Sequence, residues 1–225
     1  MNTKSIIIID PAVKEPATPC FNRFVNKYPH ISFTYQLPAL VGTKTFDLTI
    51  DADAMIVLGS ASFVSDKQEW QEVTFNYIKS ALEKGIPVLG CCFGLQLVVD
   101  GFGGTVDFVS KNQNKEAGLR IVDFLKKFED IYSSRKLVLA VNHRQEIKIL
   151  PSCFEVLASS ELIDIEVVKH KSLPFIGIQG HPEASDYFMT EYIGNMSTDE
   201  ILEAQAGGDE IIKNFLKFAK IGNPL

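Results

Sequence analysis

Three short aliphatic runs constrain the fold of this chain more than any other feature: SIIII at Ser5–Ile9, AMIVL at Ala54–Leu58 and IPVL at Ile86–Leu89. Each is too short for a helix and has no polar face, which is the pattern of a strand covered on both sides. The first stops at Asp10-Pro11, where proline removes a backbone donor, and the second at Gly59-Ser60. Between them lie segments of helical spacing. One is expected over about Thr18 to Tyr28, followed by an alternating strand at Ile31 to Leu37. Another carries Trp70, Val73, Tyr77, Ile78, Ala81 and Leu82 on one face; Asp66 with Glu69 is expected to cap it, and Gly85 to stop it. Strands alternating with helices pair in parallel through right-handed crossovers. The expectation is an α/β fold, a mostly parallel central sheet flanked by helices on both faces.

From about Gly118 the texture changes to short strands separated by brief turns: Leu119 to Phe124, Leu137 to Val141, Glu146 to Leu150, Glu155 to Ala158 and Ile165 to His170. A smaller antiparallel sheet is expected there, with Pro174 to Ile178 rejoining the main sheet. The C-terminal part returns to helix. Ser197 with Glu200 forms a capping signal, Gly207-Gly208 is expected to break the helix, and Ile211, Ile212, Phe215, Leu216 and Ala219 form an apolar stripe. No repeat or linker divides the chain, so residues 1–225 are expected to form a single domain with about 186–225 as its helical extension.

Composition narrows the function classes. A hydrophobic content of 46% over 225 residues supports a complete core, and a net charge of -6 argues against nucleic acid as a partner. The apolar run near the N-terminus is only four isoleucines long, far short of a signal core or membrane span, so no membrane association and a cytoplasmic location are expected. Cys20, Cys91, Cys92 and Cys153 show no C-x-x-C spacing; neither disulfides, a metal site nor a cofactor is expected.

Chemistry concentrates at Gly90-Cys91-Cys92-Phe93-Gly94. Glycines on both sides of a central nucleophile permit the sharp strand-to-helix turn that lifts its side chain above the sheet edge. The central residue is Cys92. At a helix N-terminus a thiolate is favoured by the dipole and the free amides, whereas Cys91 would end the strand and face the core. The stretch alone leaves open that both are small core residues. A thiolate needs a base. Of the four histidines, His181 stands in GIQGHPE, where Pro182 holds it out of helical geometry and two-residue spacing puts Glu183 on the same side to orient the ring. By itself H-P-E also reads as an ordinary helix start. Gly59 and Ser60, with the amide of Phe93, are placed to form an oxyanion site, although Gly59-Ser60 by itself also reads as an ordinary turn.

GCCFGLQ followed by GFGGTV, a strand ending in LGS, and GIQGHPE resemble class I glutamine amidotransferases, from Ile6 to about Ser185. KEAGL, PSCFEVLASSE and KHKSLPFIGIQGHPE look most like the glutaminase module of GMP synthases and its stand-alone relatives. The resemblance implies a flavodoxin-like fold and hydrolysis of L-glutamine through a γ-glutamyl thioester. Cys92 would be the nucleophile, His181 the base and Glu183 its orienting group, with Gly59 or Ser60 and Phe93 as oxyanion donors. Gln96, Asn142 and His143 would bind the amino-acid end of the substrate, and ammonia would pass to a separate synthase subunit.

The sequence departs from the family pattern in places. Leu95 stands where a polar residue is frequent, Ser60-Ala61 replaces a frequent Gly-Pro, and Gly180 replaces Phe, which is expected to open the pocket toward larger substrates. Two other functions compete: a stand-alone γ-glutamyl peptide or conjugate hydrolase with the same residues, and a silent binding domain.

Overall fold

A computed structural model describes residues 3–46 and 50–222. Residues 1 and 2 of the N-terminal stretch and 223–225 of the C-terminal extension lie outside them.

Eleven strands form among the described residues. They are β1 Ser5–Ile9, β2 Ser32–Gln36, β3 Ala54–Val57, β4 Val88–Cys91, β5 Thr105–Phe108, β6 Glu116–Phe124, β7 Lys136–His143, β8 Gln145–Ile149, β9 Phe154–Ser159, β10 Val167–His170 and β11 Phe175–Ile178. Nine join in one sheet of order β2-β1-β3-β4-β11-β10-β9-β6-β7. The pairings from β2 to β11 are parallel, and those from β11 to β7 are antiparallel. The later strands therefore extend the main sheet, and the small antiparallel sheet is the pair β5-β8.

Alternation along β1 shows why the isoleucine run has no polar face. Ile6 and Ile8 belong to one core with Phe24 of α1 (Thr18–Lys27) and Ile211, Ile212 and Phe215 of α6 (Thr198–Phe218). Ile7 and Ile9 belong to the opposite core, with Ile78 and Leu82 of α3 (Glu69–Glu83) and Leu95 and Val98 of α4 (Phe93–Gly101). Successive side chains point to opposite faces, so a doubly covered strand is apolar throughout. The short helices α2 (Pro38–Val41) and α5 (Asp186–Phe188) complete the set.

Two expectations are corrected. The cap of α3 is Gln68 with Gln71, not Asp66 with Glu69; Asp66 instead ends a 3-10 turn and accepts the amide of Phe63 at 3.2 Å. Helix α6 starts at the Ser197–Glu200 capping box and runs unbroken through Gly207-Gly208. A Cβ at Gly207 would overlap the carbonyl oxygen of Val138 in β7, and one at Gly208 would lie 2.5 Å from that of Pro182. The glycines let the helix approach the backbone beneath it, and tertiary packing outweighs their low helix propensity.

Candidate active site

The parallel strands end along one edge of the sheet, where the segments that follow them meet: Asp10 after β1, Gly59 after β3, Cys92 after β4 and His181 after β11. Such an edge is where open α/β sheets place their ligand sites. These four residues line one cavity of about 810 Å³.

Cys92 caps α4 with φ 48° and ψ -102°, a left-handed conformation that side chains rarely adopt. The neighbouring glycines explain how the turn closes. A Cβ at Gly90 would lie 2.7 Å from the backbone of Gly94 and Leu95, and one at Gly94 would lie 2.5 Å from the carbonyl oxygen of Val57. The amide of Cys92 donates to Ile178 at 2.8 Å, and its carbonyl accepts from Gln96 at 3.0 Å. Both cysteines are buried, but only Cys92 lines the cavity. Burial, then the charge of Glu183, holds the Cys91 thiol well above its ordinary range. Of the adjacent thiols, geometry therefore leaves Cys92 as the one available to a ligand.

The imidazole of His181 sits across the same turn. A point at the β-position of Gly59 is 2.6 Å from its Cε1 and 3.6 Å from Cβ of Cys92, so both side chains flank it. Nδ1 of His181 bonds Oε1 of Glu183 at 2.9 Å. Its Nε2 makes no well-aligned hydrogen bond among the described residues. Burial opposes protonation of this ring, but the Glu183 carboxylate and the Cys92 sulfur outweigh it and raise the pKa well above the ordinary value. The segment is pinned from three sides: His181 N donates to Ala140 at 2.8 Å, Arg23 donates to the Pro182 carbonyl at 2.9 Å, and Gly208 packs on Pro182.

The turn at Ser60 closes without the family's Gly-Pro. The Ser60 hydroxyl donates to the Pro11 carbonyl at 2.6 Å and accepts from Ser62 N at 3.0 Å, so its side chain is engaged in shaping the loop. Phe93 is the first residue of α4, and its amide has no helical acceptor. Gly59, Ser60, Gln96, Asn142 and His143 all line the cavity.

Polar atoms of two of these residues are already engaged. Gln96 donates through Nε2 to the Gln145 carbonyl at 2.7 Å and to Gln179 Oε1 at 3.0 Å. His143 accepts from Arg120 at Nε2, 3.1 Å away, so the ring proton is on Nδ1, which donates to the Gln145 carbonyl at 3.1 Å. Burial and the charges of Arg120 and His181 push its pKa down to about 3. His143 is thus held neutral with both nitrogens engaged. Gly180 departs from expectation: its β-position faces Leu139 and Ala140 at 3.3 Å, against β7, and it does not line the cavity. Leu95 is fully buried in the core beside Gly177.

Sequence reasoning misses three buried polar groups. Asp10 accepts from Ala12 N at 3.0 Å, Ala17 N at 2.6 Å and the Tyr35 hydroxyl, tying the loop that forms one wall of the cavity. Its pKa is raised, because burial outweighs those hydrogen bonds. A signal for it exists, since a carboxylate directly after a doubly buried strand must find donors. Gln179, at the end of β11, turns its amide to Cys92 Sγ at 3.6 Å. Arg120 is paired with Glu116 and, at 3.2 Å, with Glu166; nothing in the strand pattern distinguishes it.

A doubly covered α/β sheet with a thiol on its strand-to-helix turn defines a broad class. Similarity to known proteins narrows it. The model of the glutamine amidotransferase class-I family matches residues 33–196, and the chain belongs to that family. It is 36% identical over 140 residues to a glutamine-hydrolyzing GMP synthase subunit of Methanococcus maripaludis, covering 61% of this chain and 62% of that protein. To the corresponding subunit of Methanocaldococcus jannaschii it is 34% identical over 144 residues, 63% and 65% of the two chains. The matched region thus spans less than two thirds of those curated relatives. Two solved structures share the fold: a glutamine amidotransferase from Thermotoga maritima (TM-score 0.69, 20% identity, 98% and 97% covered) and one from Methylobacillus flagellatus (TM-score 0.66, 20% identity, 98% and 92% covered). Among the described residues no helix is long and apolar enough to cross a membrane.

Proposed function

We propose that the protein is a glutaminase of the kind that serves GMP synthase, supplying ammonia to an acceptor on a separate synthase subunit. The observation that carries this is the convergence of Cys92, on its left-handed turn, with the hydrogen-bonded His181–Glu183 pair at the wall of one cavity. Cys92 Sγ attacks the side-chain carbonyl of glutamine, and a carbon–sulfur bond forms. The carbon–nitrogen bond then breaks while His181 hands the thiol's proton to the departing ammonia. Water, deprotonated by the same imidazole, cleaves the thioester to glutamate and restores the thiol. Glu183 fixes the ring's tautomer, and the amides of Gly59 or Ser60 and Phe93 hold the oxyanion. Gln96, Asn142 and His143 shape the wall toward the amino-acid end of the substrate, with no ring nitrogen of His143 left to act as a base.

Replacement of the thiol tests this. In a glutaminase assay, Cys92→Ser removes turnover and Cys91→Ser keeps most of it. Equal loss in both would place the nucleophile elsewhere.

One observation favours a second reading, a stand-alone hydrolase of γ-glutamyl peptides or conjugates. The cavity lies in the range that holds drug-sized ligands, about 300–1,000 Å³. Tyr187, Phe188 and Tyr192 line it, with the Phe188 ring 4.7 Å from the His181 ring and 5.6 Å from Tyr192. These rings border the group that protonates the leaving amine. Comparing kcat/KM on glutamine with that on γ-glutamyl dipeptides, without a partner, separates the two; rapid peptide hydrolysis with idle glutamine would overturn the first.

A further inference from the structure

We infer that Gln179 is a catalytic residue that holds the Cys92 sulfur as a thiolate, and that Gln96 positions it. The inference rests on the thiol chemistry proposed above. A carboxamide can face either way, so its orientation must be argued from its partners. Three consecutive contacts fix it here. The main-chain carbonyl of Gln145 can only accept, so the end of Gln96 that faces it at 2.7 Å is the amino group. That same amino group lies 3.0 Å from the Gln179 amide and needs an acceptor there, which makes the near atom of Gln179 its oxygen. The amino group of Gln179 is consequently turned to Cys92 Sγ, at 3.6 Å.

The donor is permanent and dry. Gln179 is 0% exposed and Gln96 4%, so water has little access to compete for either amide. A hydrogen bond given to the charged form of a thiol favours that form, and in a low-dielectric site it does so more strongly than in water. Gln179 is further fixed by its main-chain amide, which donates to the Glu166 carbonyl at 2.8 Å. It also lies two residues before His181, so the segment that brings the base brings the sulfur's donor as well. Because sulfur is reached through Gln179 and Gln179 is oriented through Gln96, removal of either amide should act on the thiol in the same direction.

The test reads the thiol itself. The second-order rate constant for alkylation of Cys92 by iodoacetamide is followed by peptide mass spectrometry from neutral pH to a pH at which thiols are fully ionised. Gln179→Met, close in size and apolar, is expected to slow alkylation about tenfold at pH 7, the loss of one charge-assisted hydrogen bond. The deficit should close at high pH, where ionisation no longer limits the rate. Gln96→Met, which leaves Gln179 and the sulfur in place, should slow it in the same direction by a smaller factor with the same closure. Equal neutral-pH rates in native and variant proteins would overturn the inference, as would a deficit of constant size at every pH, the mark of altered packing or access. Glutamine turnover by the native protein is recorded separately. Ready alkylation without turnover would strike the proposed function and leave the assignment of Gln179 standing.

Discussion

At Cys92 the backbone conformation works against stability. A non-glycine residue with φ near +48° costs on the order of 1–3 kcal/mol, and it persists where its surroundings over-determine it. Those surroundings are identifiable: the bond from Cys92 N to Ile178, the bond from Gln96 N to the Cys92 carbonyl, and the close passage of Gly94 over Val57. The two members of the His181–Glu183 pair have unequal tasks. In the proposed reaction the imidazole moves the proton, whereas the carboxylate orients a ring that is also held by packing against Phe188. In a glutaminase assay, His181→Ala should therefore lower kcat more than Glu183→Gln, with roughly a hundredfold between them by analogy with hydrolytic triads. A reversed order would make Glu183 the principal group. As candidates, Cys92, His181 and Glu183 are legible in the sequence because each motif has its own local geometry. Gln179 and Gln96 are not legible as a pair, because their meeting depends on β11 lying beside β4.

Among the elements, α6 depends most on close approach. It crosses β7 with Gly207 set against the Val138 carbonyl, and with Gly208 against Pro182 in the segment that carries His181. Gly207→Ala should destabilise the protein by about 2–3 kcal/mol, as overpacking does, measured as a lowered urea midpoint. Unchanged stability would mean that the helix can move away freely. Taken from sequence alone, the same pair signals a break in the helix. A glycine pair has low helix propensity in isolation, and whether it breaks a helix or admits a neighbour depends on what lies beneath it. The misplaced cap of α3 has a related cause. Asp66 and Glu69 have the right spacing, but the 3-10 turn at Val64–Asp66 uses Asp66 first and moves the helix start to Glu69.

For the molecule as a whole, the buried cluster around His143 predicts how stability responds to acid. Arg120 faces its Nε2, Glu116 lies 3.7 Å from the same nitrogen, Glu166 pairs with Arg120, and His181 contributes further positive charge. The folded ring resists protonation down to about pH 3, whereas in the unfolded chain it titrates near 6.5. The unfolded state therefore binds the extra proton between those values, and stability falls as pH drops through that window, by about 1.4 kcal/mol per pH unit from this group. Urea unfolding at pH 7.5 and pH 5 should show the native protein losing about 2 kcal/mol more than His143→Gln over the same interval. Equal losses would remove His143 as the source. The charge and composition of the chain give no hint of this cluster, since a lone Arg in a strand and a lone Glu before another strand acquire meaning only when β6, β7 and β10 converge.

The chain itself determined the order of most strands and helices (though not β5, α2 or α5), the doubly buried character of β1, β3 and β4, and the positions of the sharp turn at Cys92 and the H-P-E segment. These follow from periodicity, from glycine and proline geometry, and from capping chemistry, all of which act over a few residues. Tertiary structure decided that the antiparallel strands extend the main sheet, that Gly180 faces β7 and not the cavity, and that two glutamine amides line up behind the sulfur. The physical reason is range. Sheet order, close backbone approach and buried hydrogen-bond chains join residues that the sequence keeps far apart, and only packing settles which of them share a boundary with the site.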